Sequence, residues 1–128
     1  MRVNFLFNDG DTFDDFFELE VDWNYPVLPR LNEHLAPSFI MKLLTPKVFY
    51  EKLNDEHKKQ WDDRMNEFKN ELPREQVERE TMCNRLIEMG LYVNRIDWES
   101  DNKGTYVIIS LEESSYAIKQ CHKARCPF

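Results

Sequence analysis

Residues 2–7 and 17–23 alternate. Val3, Phe5 and Phe7 hold every second position of the opening run, and Phe17, Leu19, Val21 and Trp23 do the same after it. A period of two puts such residues on one face of a strand. Asn8-Asp9-Gly10-Asp11, between the runs, is turn chemistry, because Asn, Asp and Gly tolerate positive φ. The pattern predicts a β-hairpin whose second strand covers about Phe16 to Trp23. Glu18, Glu20 and Asp22 then share the face opposite the apolar residues.

The far end of the chain repeats the theme. Leu91–Trp98 and Thr105–Ser110 read as a second β-hairpin around residues 99–104, and Tyr106-Val107-Ile108-Ile109 is the most β-like run present. Between the hairpins the period becomes helical. Pro26, Pro29 and Pro37 mark an extended connector with room for one helical turn between Arg30 and Leu35. A short apolar helix is expected at Ser38–Leu44. Thr45 as N-cap and Pro46 at the first helical position start another, running to about Leu53. Asn54 caps a third over about Asp55–Leu72, with a narrow stripe of Trp61, Met65, Phe68 and Leu72. Pro73 opens the next, and Gly90 is placed to close it. Ser110-Leu111-Glu112-Glu113 fits a capping box, predicting a last helix to about His122. The expected fold class is α+β: two antiparallel β-hairpins joined into one antiparallel sheet, packed against three to four helices in the order ββαααββα.

At 128 residues the chain suits one domain, residues 1–128. Its 41% hydrophobic and 13% aromatic content argues for a packed core despite 32% charged residues. A net charge of −7 removes the usual electrostatic footprint for phosphates, so direct nucleic-acid binding is not expected. Three cysteines cannot all pair within one chain, and the short apolar start does not read as a signal peptide. No apolar run reaches membrane-spanning length. A cytoplasmic protein without a membrane partner is expected, in a host cytoplasm if phage-encoded, with its oligomeric state left open.

The densest chemical signal lies in residues 9–22. Seven carboxylates (Asp9, Asp11, Asp14, Asp15, Glu18, Glu20 and Asp22) surround Phe13, Phe16 and Phe17 with no Lys or Arg among them. A solvated sheet face with a polar turn explains the window without any function. An interaction surface explains it as well. Alternate carboxylates on a strand stand roughly 7 Å apart, broadly the spacing of phosphates along a nucleic-acid strand. Asp9-Gly10-Asp11 resembles the start of a calcium loop, but Phe13 sits where an oxygen ligand belongs and the Gly comes too early. Cys121, His122 and Cys126 are soft ligands close together, yet no second pair completes a structural zinc site. No serine has a nucleophile-elbow context and no loop cradles phosphate. No catalytic residue, metal or cofactor is expected, so the chain is read as a binding protein rather than an enzyme.

The reading that gathers most of these features is a small acidic inhibitor or modulator of phage or mobile-element type. It would occupy a basic, nucleic-acid-facing surface of a host protein. Asp14, Asp15, Glu18, Glu20 and Asp22 would meet Lys or Arg, and Phe13, Phe16 and Trp23 would fill adjacent apolar pockets. Three rivals stand beside it. One is an assembly subunit docking through the Trp61-Met65-Phe68-Leu72 stripe. Another is a small metal-dependent enzyme using Asp9 and Asp11. The third is a nucleic-acid module stacking bases on Tyr92, Trp98 and Tyr106.

Overall fold

A computed structural model describes residues 1–8 and 11–114. Among them the elements are β1 (Arg2–Phe7), β2 (Phe17–Asp22), α1 (Pro37–Leu43), α2 (Pro46–Lys52), α3 (Asp55–Phe68), α4 (Arg74–Met89), β3 (Tyr92–Asp101) and β4 (Gly104–Glu112). The class is α+β, with four strands in one sheet and four helices.

The strand order is β2-β1-β4-β3. β1 and β2 pair antiparallel, as do β3 and β4, but β1 and β4 meet in parallel. The sheet is therefore mixed, which corrects the expected antiparallel one. Alternation dictates which residues share a face, and it carries no information on strand direction. Direction follows from how the helical segment returns the chain to the sheet. Position within the sheet does follow composition. The two most apolar strands, β1 and β4, lie at the centre, and the acid-bearing β2 and β3 lie at the edges.

Val3, Phe5 and Phe7 of β1 face the same side as Val107, Ile109 and Leu111 of β4, and all six are fully buried. Ile40, Phe49, Leu53, Met82 and Met89 from the helical region join them in one core. The caps behave as their residue types dictate. Thr45 Oγ1 accepts from the Val48 amide at 3.3 Å, and Asn54 Oδ1 accepts from the His57 amide at 2.9 Å. Gly90, at φ 56°, ends α4 in the left-handed conformation that glycine adopts without steric cost.

The expected order ββαααββα is corrected to ββααααββ over the described residues. The short apolar segment at residues 37–43 forms a helix of its own, giving four between the hairpins. The capping-box signal at Ser110 fails. Ser110 and Leu111 stay in β4, opposite Leu6 and Phe7. Burial of Leu111 in register with Phe7 outweighs a local cap option, as tertiary context commonly does. The remainder of that predicted helix lies outside the described residues. α3 stops at Phe68 rather than Leu72, and Pro73 is an N-cap rather than the first helical residue. In the connector, Asn32 has φ 66°, and Val93 N–H donates to the Glu33 carbonyl at 2.9 Å. This loop covers the start of the β3 edge. No helix among the described residues is long and apolar enough to cross a membrane.

Candidate partner-binding face

The four helices pack on one side of the sheet, and among the described residues nothing covers the other side. The strand registers decide what that open side carries. Glu20 lies opposite Asn4, Asn4 opposite Ile108, and Ile108 opposite Asp97. Glu18, Leu6, Ser110 and Arg95 form the next row. Asp22 lies opposite Arg2, whose guanidinium sits 4.2 Å from the Tyr106 ring centroid, and Tyr106 lies opposite Glu99. The face thus has two acidic margins: Glu18, Glu20 and Asp22 on β2, and Asp97, Glu99 and Asp101 on β3. A half-buried stripe of Leu6, Ile108 and Tyr106 lies between. Three inter-strand spacings separate the margins by about 14 Å, and the cumulative sheet twist makes them diverge.

Two guanidinium groups stand among the six carboxylates. Arg2 bonds Asp101 at 2.8 Å, and Arg95 pairs with Asp97 at 2.8 Å. The Arg2 bond holds Asp101 below the usual carboxylate range, helped by the Lys103 amide, and raises Arg2 in turn. The β2 margin is held far more loosely. Glu20 is 3.8 Å from Arg2 Nε, Asp22 is 3.6 Å from the Met1 amino group, and Glu18 takes a 3.4 Å bond from Asn4. Contacts this long between exposed groups contribute about 0–1 kcal/mol. Asp22 keeps 83% of its side chain exposed and Glu20 keeps 63%, so both remain open to an external cation.

The turn leading into β2 is stapled down. Thr12 is fully buried, and its Oγ1 accepts from Arg85 Nη2 at 2.6 Å and from Nε at 3.1 Å. Asn54 donates to the Asp11 carbonyl at 2.8 Å, and the Asp14 amide donates to the Lys52 carbonyl at 3.0 Å. Asp14 and Asp15 project outward from this fixed backbone. The acidic window is thus an anchored turn over residues 11–16 followed by a strand.

The three aromatic candidates separate. Phe13 is 3% exposed and packs edge-on against Phe17 and Phe49, and Trp23 is 7% exposed and donates its indole N–H to the Val27 carbonyl at 3.1 Å. Both rings fill this chain's own core, which corrects the expectation that they fill a partner's pockets. Phe16, 61% exposed, is the one that projects. The β3 acids lie outside the surface that the sequence predicts. Their signal was present in the alternation of Arg95, Asp97, Glu99 and Asp101, but only the register places it beside β2.

The rival sites fare differently. Trp61 and Met65 are buried, with Trp61 packed against Phe49 and Tyr50, so the α3 stripe is engaged within the fold. Asp11 donates its amide to Glu113 at 3.0 Å, while Asp9 lies outside the described residues. Among the described residues no group of three or more His, Cys, Asp or Glu side chains is placed to hold a metal ion. Cys121, His122 and Cys126 lie outside them. Of the aromatic trio on the second hairpin, Trp98 is 60% exposed, Tyr106 lies beneath Arg2, and Tyr92 bonds Glu112 at 3.2 Å. Compared with family models, curated proteins and solved structures, the chain matches none.

Proposed function

We propose that this protein is a binding protein whose open sheet face occupies a basic surface on a protein partner. The observation that carries the reading is the pair of acidic margins on a sheet face that no helix among the described residues covers. Glu18, Glu20 and Asp22 contribute one and Asp97, Glu99 and Asp101 the other; among the described residues the cations paired with them are Arg2, Arg95 and the Met1 amino group. Charges of one sign held on fixed strands attract a cationic surface without reorganising. Asp14 and Asp15 extend the field beyond β2, and Phe16 supplies an apolar anchor beside it. A separation of about 14 Å is comparable to the roughly 12 Å width of a DNA major groove. A cleft lined to receive nucleic acid is therefore the finer assignment for the partner. A phage or mobile-element inhibitor is one setting for such a protein, and it rests on size and composition.

The test uses the wild-type chain and the triple variant E18K/E20K/D22K as baits in a plausible host lysate. Each captured protein is then re-measured in purified form. The expected partner binds wild type, weakens steeply with salt, loses affinity for the triple variant and is displaced by double-stranded DNA. An affinity indifferent to both salt and charge reversal would remove the electrostatic mechanism. Salt-sensitive binding that DNA does not displace would keep the acidic face and discard the nucleic-acid-facing cleft.

A further inference from the structure

A cleft of about 220 Å³ opens between α3 and α4, in the helical layer and away from the acidic face. His57, Gln60 and Arg64 line it from α3, while Asn84, Arg85 and Glu88 line it from α4. Both sets recur at helical spacing, so each is one polar stripe facing the other. The indole of Trp61 adds apolar surface. The volume is below the roughly 300 Å³ at which sites for drug-sized ligands begin.

The hydrogen bonds decide which groups remain available. All three nitrogens of Arg85 are engaged: Nε and Nη2 bond Thr12, and Nη1 bonds Glu88 at 3.0 Å. Those two charges cancel. Arg64 differs. Its Nε is buried without a hydrogen-bond partner, and its guanidinium lies 5.0 Å from the Phe68 ring centroid. Among the described residues it makes no ion pair. A guanidinium has five donors and no acceptor, so an unpartnered one beside the amides of Gln60 and Asn84 favours an oxyanion.

His57 supplies the complementary group. Asn54 donates its side-chain Nδ2–H to the Asp11 carbonyl, which fixes its amide so that Oδ1 faces the ring; Oδ1 lies 2.7 Å from His57 Nδ1. An amide oxygen cannot donate, so Nδ1 carries the proton and Nε2 of the neutral ring is an acceptor. Burial, with the charge of Arg85, lowers the pKa of His57 and keeps the ring neutral near pH 7. One uncompensated positive charge selects a monoanion. Arg64 and His57 stand seven residues apart on α3, about 10 Å along the axis, so an acid and a donor at opposite ends of the ligand suit them.

We propose that the α3–α4 cleft binds a small carboxylate bearing a hydroxyl group, with Arg64 holding the carboxylate and His57 Nε2 accepting from the hydroxyl. Calorimetric titration of the full chain at pH 7.5 and fixed ionic strength, with 4-hydroxyphenylacetate and with phenylacetate, tests it. The expected result is saturable binding in the millimolar range, with the hydroxylated acid favoured about tenfold. Arg64→Gln should weaken that binding about tenfold at unchanged melting temperature. Arg64→Lys, which keeps the charge and loses the planar fork, replaces it if R64Q does not fold. No saturation, no preference for the hydroxyl, or binding indifferent to Arg64 would each overturn the proposal.

Discussion

Ile108 and Ile109 are neighbours on one strand, share its hydrogen-bond ladder and face opposite sides of the sheet. Ile109 is fully buried, opposite Phe5 and beneath the helices. Ile108 is half-buried, between Asn4 and Asp97. The inner face also carries packed aromatics, including Phe7 stacked on Phe17 at 4.7 Å and Phe5 against Trp23 at 5.9 Å. The outer face has acids at both margins and a modest apolar stripe in the middle. Backbone bonding is common to both, so stability and availability for binding have been separated by side-chain alternation alone. The inner face holds the fold, and the outer face is free to vary its charge.

The sharpest way to break this comparison is to truncate both isoleucines. Ile109→Ala should cost about 2–5 kcal/mol of stability by urea unfolding. Ile108→Ala should cost less, because its side chain is only partly buried and leaves no enclosed cavity when truncated. Equal losses would mean that something covers the outer face. A smaller effect is expected at the staple beneath the acidic turn. Thr12→Val leaves two Arg85 donors without their acceptor and should cost about 1–3 kcal/mol. An effect near zero would show that Thr12 does not fix the turn.

The pH dependence comes next. His57 has a depressed folded pKa, so its contribution is fully present above the ordinary histidine value of about 6.5. That contribution is lost as pH falls through the folded value, because the unfolded chain then binds the proton more readily. Arg85 reinforces the shift, whereas Glu56, Glu113 and Asp11 oppose it. In His57→Gln the stability change over this window should be shallower than in wild type. Identical profiles would assign the pH dependence to other groups. The smallest structural effect belongs to the β2 acids. Glu18→Lys, Glu20→Lys and Asp22→Lys should each shift stability within about 0.5 kcal/mol, measured singly. A loss of several kcal/mol would show that the open face is part of the core.

Much of this was legible in the primary structure, and particular residues show where legibility stops. The β2 alternation placed Phe17, Leu19 and Val21 on one side and Glu18, Glu20 and Asp22 on the other, which is the arrangement found. The caps at Thr45, Asn54 and Gly90 were equally readable, because each depends on a few neighbouring residues. Phe13 and Phe16 were not separable. Both are phenylalanines among aspartates, and only the contacts of residues 11–16 with α2, α3 and α4 bury one and expose the other. The Ser110 capping box misled because long-range pairing with β1 competes with a local preference. Half the acidic face was missed for the same reason, since Asp97, Glu99 and Asp101 are about eighty residues from β2 in sequence.

The order of residues therefore determined the strands, most of the helices, their caps and the side to which each strand residue turns, since these depend on neighbours a few positions apart. Tertiary structure alone decided the parallel join of β1 to β4, the meeting of two acidic margins across one sheet, and the burial of Phe13. Those outcomes come from burying apolar surface that is distant along the chain. That burial is non-directional and collective, and no local pattern encodes it.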